Sequence, residues 1–141
     1  TMKNGVARAT LSVDAIQTML NAGVARAKAL NVKVHICIMD AAANVAGFIS
    51  FDGAPLIAAT TAKRKAMTAV HTGMTTEAWK NYVNSIPASE LKIIDSIEGY
   101  IAAKGGYPVI EDGFVLGGIG ISGANQEIDA DIAEAMLAAI A

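Results

Sequence analysis

Apolar residues along this chain follow two spacings, the three-to-four step of a helix and the two-residue alternation of a strand. The helical spacing predicts a first helix that Thr10 or Ser12 caps and that Asn31 ends in a left-handed conformation. Lys33–Met39 alternates as a strand, and Val45–Phe51 returns after a turn rich in Asp and Asn. The first third of the chain is therefore expected to be a helix followed by a β-hairpin.

The middle of the chain is expected to be mainly helical. A stripe of alanines, suited to close packing on a sheet, predicts a helix over Leu56–His71, and Gly73 ends it. A short helix runs through Trp79, and Ser89–Ile97 continues as helix beyond a proline break. Tyr100–Ala103 is then predicted to be a short strand.

The last third contains the strongest local signal. Asp112-Gly113 separates the apolar runs Tyr107–Ile110 and Phe114–Ile121, which predicts a hairpin with a type I′ turn because both central residues need positive φ. A final helix carries apolar residues at steps of four from Ile128, with Asp129 expected on its outer side. In total the pattern predicts a single α/β (α+β) domain over residues 1–141, with an antiparallel sheet of about five strands and helices packed on it.

Glycines interrupt the second strand of the C-terminal hairpin. Gly118, Gly120 and Gly123 weaken a strand unless a backbone, a helix or a ligand must approach closely, so close approach is expected there. Their spacing spells G-x-G-x-x-G, the pattern of dinucleotide-binding turns. That site also needs a following parallel strand with an acidic residue, and no such strand is predicted here.

Composition narrows the range of partners. Hydrophobic residues make up 53% of the chain and charged residues 17%, which favours a homo-oligomer that buries apolar surface between subunits. The net charge of −2 and the lack of a basic block argue against nucleic acid, and no apolar run reaches the ~20 residues of a membrane span. A single cysteine, Cys37, is expected to be a buried reduced thiol in a cytoplasmic protein, although a cleaved signal peptide would leave no trace.

Most candidate binding and catalytic residues lie on the predicted helix over Leu56–His71. Arg64, Lys65, Thr68 and His71 are spaced to share one broad polar face, which could bind an anion if the glycine-rich strand leaves a cleft beside it. The glycines expected to border that cleft are Gly106, Gly118 and Gly120. A solvated basic helix face is the alternative interpretation.

Single residues give few further indications of a functional site beyond this polar face. His35 lies in an apolar strand and is expected to be a core histidine with its hydrogen bonds satisfied, whereas His71 is the better functional candidate. Lys65 could act as an acid or base if burial lowered its pKa. No metal-ligand spacing is present, and Ser122 matches a nucleophile elbow only loosely.

These motifs together resemble the GlcG/HbpS-like family, also described as haem-degrading domains and as the C-terminal domain of PduO-type proteins. The resemblance spans nearly the whole chain in order. The residues that carry it are Asp40-Ala41-Ala42-Ala43-Asn44, Asp52-Gly53-Ala54-Pro55, Lys65-Ala66, Thr68-Ala69, Gly105-Gly106-Tyr107-Pro108, Asp112-Gly113, Gly118-Ile119-Gly120-Ile121-Ser122-Gly123 and Asp129. Ala42-Ala43 departs from the usual Gly-Gly of the first motif.

The resemblance implies a profilin-like domain that forms dimers and larger assemblies. It implies haem as a cofactor, with haem degradation or redox sensing as possible roles; on that hypothesis Arg64 or Lys65 would hold the propionates and His71 the iron. Two alternatives stay open: an enzyme or binding protein for a small organic acid of glycolate or diol metabolism, with its carboxylate on the same basic face, and a non-catalytic assembly protein. Whether the chain is an enzyme is left open.

Overall fold

The computed structural model describes residues 1–141 and contains five helices and four strands. In chain order the elements are α1 (Val13–Ala29), β1 (His35–Asp40), β2 (Val45–Ser50), α2 (Ile57–Thr72), α3 (Thr76–Val83), α4 (Ala88–Asp95), β3 (Gly106–Glu111), β4 (Phe114–Ser122) and α5 (Gln126–Ala138). None of the helices combines the length and the apolar character that crossing a membrane would require.

All four strands form one antiparallel sheet in the order β2-β1-β4-β3. The prediction of about five strands is therefore wrong by one, because Tyr100–Ala103 runs as a loop. Gly99 and Gly105, on either side of it, have φ of 109° and 118°, and neither value belongs to an extended strand. The amide of Ile101 donates to the Oγ1 of Thr68 at 3.1 Å, so α2 takes the bond that a neighbouring strand would have made.

The sheet lies between two helical layers because its central strands alternate. Ile36, Ile38, Ile119 and Ile121 point to one face, where they form the main core with α1 and α5. On the other face, Cys37 and Met39 of β1 form a second cluster with the alanines of α2. The period of two in the strands thus decides which helix covers which face.

Local signals end most elements where the sequence predicts. Ser12 caps α1 by accepting from the amide of Ala15, Asn31 follows that helix with φ of 53°, and Gly73 ends α2 with φ of 67°. Asp112 and Gly113 have φ of 52° and 80°, which confirms the predicted positive values at the hairpin turn.

The buried polar residues of β1 are satisfied within the fold. The Nε2–H of His35 donates to the carbonyl of Pro55 at 2.9 Å, so its Nδ1 accepts from the hydroxyl of Ser50 at 2.7 Å. The prediction of a satisfied core histidine is confirmed.

Cys37 is fully buried, and burial raises the pKa of its thiol to about 12, which leaves it in the unreactive protonated form.

Candidate functional site

A cleft of about 320 Å³ opens between α2, α3, α4 and the loop that follows α4. Seven of its eleven lining residues are hydrophobic, and the others include one arginine and two carboxylates. The lining residues are Arg64, Trp79, Val83, Leu91, Ile94, Asp95, Ile97, Glu98, Gly99, Tyr100 and Ala102. An apolar wall with a few convergent polar groups is the usual form of a small-molecule site. A larger depression, of about 610 Å³, is bordered only by the exposed segment 1–7 and has no charged side chain in its lining.

Arg64 is the cation of this cleft. Its side chain is 43% exposed and its Nη2 lies 3.8 Å from Oε1 of Glu98, the one carboxylate within ion-pair distance. A separation of 3.8 Å is too long for a hydrogen bond. The guanidinium therefore keeps its donors available for a carboxylate or another anion.

His71 lies beside the cleft and outside its lining. Its Nδ1 is 3.2 Å from the hydroxyl of Tyr100, and the two rings meet edge to face with centroids 5.7 Å apart. Tyr100 in turn contacts the ring of Trp79 at 5.5 Å. With its proton on Nδ1, the imidazole donates to Tyr100 and keeps a free lone pair on Nε2, the form in which histidine binds metals.

Lys65 and Thr68 do not share the exposed face with Arg64, so the predicted broad polar face is wrong. Lys65 is only 3% exposed, and Thr68 is fully buried. The hydroxyl of Thr68 donates to the carbonyl of Arg64 at 2.7 Å. The ammonium of Lys65 donates to the carbonyl of Ile121 at 2.8 Å and to Oδ2 of Asp129 at 3.1 Å. The helix turns Lys65 toward the sheet, because residues one position apart differ by about 100° around the axis. Thr68 is one turn beyond Arg64 on the same side of the helix, and it is covered by the loop after α4, whose Ile101 amide donates to its hydroxyl.

Asp129 is the partner that sequence reasoning missed, since the prediction placed it on the outer side of the last helix. It is 2% exposed, and its Oδ1 also accepts from the amide of Ala124 at 3.1 Å. Burial lowers the pKa of Lys65 and raises that of Asp129, while the charge of each partner opposes the shift. The missed signal is helical periodicity: Asp129, Ile132, Ala133 and Met136 are buried at i, i+3, i+4 and i+7.

The glycines expected near a ligand lie against α2 instead. A Cβ on Gly118 would meet the carbonyl oxygen of Ala66 at 2.8 Å, and one on Gly120 would overlap the backbone of α2 at residues 62 and 66. A Cβ on Gly106 would meet the carbonyl carbon of Lys65 at 3.0 Å. The helix itself therefore makes the close approach that the glycines permit, and it fills the space over the strand on that side.

The structure thus brings Arg64 and His71 to the exposed side of α2, places Lys65 against the sheet with the three glycines, and buries Thr68 beneath the loop after α4. Within the whole chain, no three His, Cys, Asp or Glu side chains are grouped closely enough to hold a metal ion by themselves. Trp79, Tyr100 and Glu98 belong to the cleft, and no local pattern in the sequence marks them as site residues.

Comparison with known proteins agrees with this architecture. Residues 11–138 match the model of a family described as haem degrading protein HbpS-like. The chain is 35% identical over 133 residues to the corrinoid adenosyltransferase PduO of Citrobacter freundii, covering 93% of this chain but only 39% of that protein.

Solved structures are similar over most of the chain. The complex of PduOC with haem superposes with a TM-score of 0.85 at 31% identity, covering 92% of this chain and 94% of that one. A double mutant of Streptomyces reticuli HbpS superposes with a TM-score of 0.89 at 25% identity, covering 100% and 94% of the two chains.

Proposed function

Because the chain belongs to the HbpS-like family of haem-degrading proteins, we propose that it binds haem in the cleft beside Arg64. The observation that carries this proposal is the similarity to PduOC, a protein solved as a haem complex, over nearly the whole of both chains. The adenosyltransferase activity of the PduO relatives is not part of the proposal, since the chain spans 39% of their length.

The cleft suits the chemistry of haem in two respects. Haem is a flat apolar macrocycle with two propionates, and the cleft combines an apolar wall from Trp79, Leu91 and Ile94 with the available guanidinium of Arg64. Arginine presents a planar set of donors that matches a carboxylate.

His71 is the residue we assign to the iron, through its Nε2. It lies on α2 seven residues after Arg64, hence roughly 10 Å along the same side of the helix. Lys65 is left out of this proposal, because its ammonium is buried against Asp129 on the sheet side of α2. When bound, haem would supply one-electron and oxygen chemistry, while the chain's own residues bind and orient it.

A haem titration followed through the Soret band tests the proposal. We expect saturable binding by the wild type, weaker binding by Arg64→Gln, and an altered Soret maximum for His71→Ala because the axial ligand is lost. Arg8→Gln is the matched control, since Arg8 lies on the exposed N-terminal segment and not in the cleft. An unsaturable absorbance change, or equal effects of the Arg8 and Arg64 variants, would reject the proposal.

A second candidate function is the binding of a small organic acid at Arg64. The weak pairing of Arg64 and the modest volume of the cleft favour it, since 320 Å³ is at the lower end for ligand sites. Thermal-shift measurements with short carboxylic acids separate the two functions. A rise in melting temperature with an acid, absent in Arg64→Gln and without any response to haem, would favour the acid.

A further inference from the structure

We infer that Glu98 is a specificity-determining residue of the cleft: its carboxylate competes with a ligand carboxylate for the guanidinium of Arg64. The inference rests on the proposed function, because it concerns the same cation. It adds that the affinity for ligands bearing carboxylates is set partly by an acid of the chain itself. Such a residue favours ligands that have more carboxylates, or carboxylates that hydrogen-bond more strongly to the guanidinium.

The ion pair between Arg64 and Glu98 is weak, so a ligand carboxylate can displace Glu98. Its atoms are 3.8 Å apart, and the side chain of Glu98 is 92% exposed. Exposed pairs of this kind contribute little to stability, since both charges are well solvated when apart. A ligand carboxylate that makes two short hydrogen bonds to the guanidinium would therefore displace Glu98 at small cost.

The position of Glu98 is nevertheless set by the fold. A Cβ on Gly99 would overlap the side chain of Met67, so the main chain next to Glu98 packs against that side chain of α2. The amide of Ile101 is held by the hydroxyl of Thr68 on the same helix. These two contacts position the backbone on either side of the cleft wall. Rotation of the Glu98 side chain therefore suffices to free Arg64, and the wall of the cleft can stay in place.

The cleft contains a natural control. Asp95 also lines it, but Glu98 is the acid that lies within ion-pair distance of Arg64. A general effect of negative charge would make Asp95→Asn and Glu98→Gln behave alike. Competition for Arg64 would instead make the Glu98 effect depend on the presence of the arginine.

The first experiment measures the affinity of ferric haem and of its dimethyl ester for wild type, Glu98→Gln, Asp95→Asn, Arg64→Gln and the Arg64→Gln/Glu98→Gln double variant. We expect Glu98→Gln to bind haem about two- to fivefold more tightly, as the loss of one exposed ion pair predicts. The ester should show no such gain, and the gain should vanish in the Arg64→Gln background. An unchanged or weaker haem affinity of Glu98→Gln, or an equal gain with Asp95→Asn, would overturn the inference.

The second experiment does not depend on haem. Phenylglyoxal modifies accessible guanidinium groups, and the two other arginines of the chain, Arg8 and Arg26, serve as internal references. Arg26 pairs with both oxygens of Asp131, and Arg8 is exposed without a salt bridge, so their modification rates should stay the same. Peptide mapping should show faster modification of Arg64 in Glu98→Gln than in wild type.

The two experiments separate the possible failures. If haem does not bind the wild type, the proposed function is wrong, and the rate of Arg64 modification alone decides whether Glu98 occupies the arginine. If that rate is the same in both proteins, Glu98 does not shield Arg64, and the inference is wrong whatever haem does.

Discussion

At the scale of single residues, Lys65 and Asp129 form a buried ion pair whose charges are costly to remove from water. Both side chains are almost fully buried, and each makes a further hydrogen bond to a backbone group. A buried charge is tolerated only when it is paired, so each member holds the other in place. The pair links α2 on one face of the sheet to α5 on the other. Gly105 passes beside it, where a Cβ would come within 2.8 Å of the ammonium.

Replacing one member of this pair should be strongly destabilising. We expect Lys65→Met to lower the free energy of unfolding by about 3–5 kcal/mol, because Asp129 would be left as an uncompensated buried charge. Urea denaturation followed by circular dichroism measures the loss. The double variant Lys65→Met/Asp129→Leu should recover much of it, and Lys80→Met, on an exposed position of α3, should change little. Equal stability of Lys65→Met and wild type would show that the pair contributes nothing.

The half-buried pair of Arg26 and Asp131 predicts a dependence of stability on pH. The hydrogen bond from Arg26 lowers the pKa of Asp131 below its usual 3.8. A carboxylate with a lowered folded pKa stabilises the fold above its unfolded pKa, and that contribution is lost as the pH falls through the folded value.

The difference in melting temperature between wild type and Asp131→Asn should therefore be constant at neutral pH and should shrink below about pH 4. Glu111→Gln removes an exposed carboxylate without a salt bridge and should show no such trend. A difference that stays the same down to pH 3 would contradict the assignment.

At the scale of elements, the packing of α2 on β4 depends on a match between alanines and glycines. Ala62 and Ala66 are fully buried, and the helix backbone at these residues lies directly over Gly118 and Gly120. Neither surface could come this close with larger side chains. The close packing of α2 on β4 therefore requires small residues on both elements.

Gly120→Ala should disrupt this contact. The added Cβ would lie only 2.5 Å from the amide nitrogen of Ala66 and would overlap the carbonyl of Ala62, both of them backbone atoms that cannot rotate away. We expect a loss of at least about 1–3 kcal/mol of unfolding free energy from overpacking. Gly5→Ala is the control, because its Cβ would meet only the flexible side chain of Met2. A variant Gly120→Ala as stable as wild type would show that α2 can move away from the sheet.

At the scale of the whole molecule, α4 is the element least integrated into the fold. It is eight residues long, has no buried residue, and carries Ile93 at 60% exposure, with Ile97 just beyond it at 48%. Such a short helix is marginal without tertiary packing, and exposed isoleucines favour association. We propose that α4 packs against another copy of the chain in a homo-oligomer.

Light scattering after gel filtration tests this proposal. We expect a mass above the 14.5 kDa of one chain, and a lower mass for Ile93→Lys because a lysine there would be buried in the interface. Ile110→Lys changes an isoleucine of similar exposure, 54%, on β3 and should leave the mass unchanged. A wild type of 14.5 kDa would refute the assembly.

The sequence by itself determined the elements whose signals are local. The caps at Ser12 and Gly73 and the positive φ values at Asp112 and Gly113 follow from the chemistry of a few neighbouring residues. The glycines of β4 could be assigned to a close approach for the same reason, since only a missing side chain permits one. The motifs also sufficed to identify the family, which the match over residues 11–138 confirms.

Only the tertiary structure decided which surfaces meet. Lys65 and Asp129 are 64 residues apart, and no local pattern pairs them. Arg64 and Lys65 are neighbours in sequence, yet the rotation of the helix places one at the cleft and buries the other. Tyr100–Ala103 has the composition of a strand and becomes a loop because Thr68 takes the amide of Ile101. Each of these outcomes depends on distant partners, because burial and pairing are properties of two surfaces in contact.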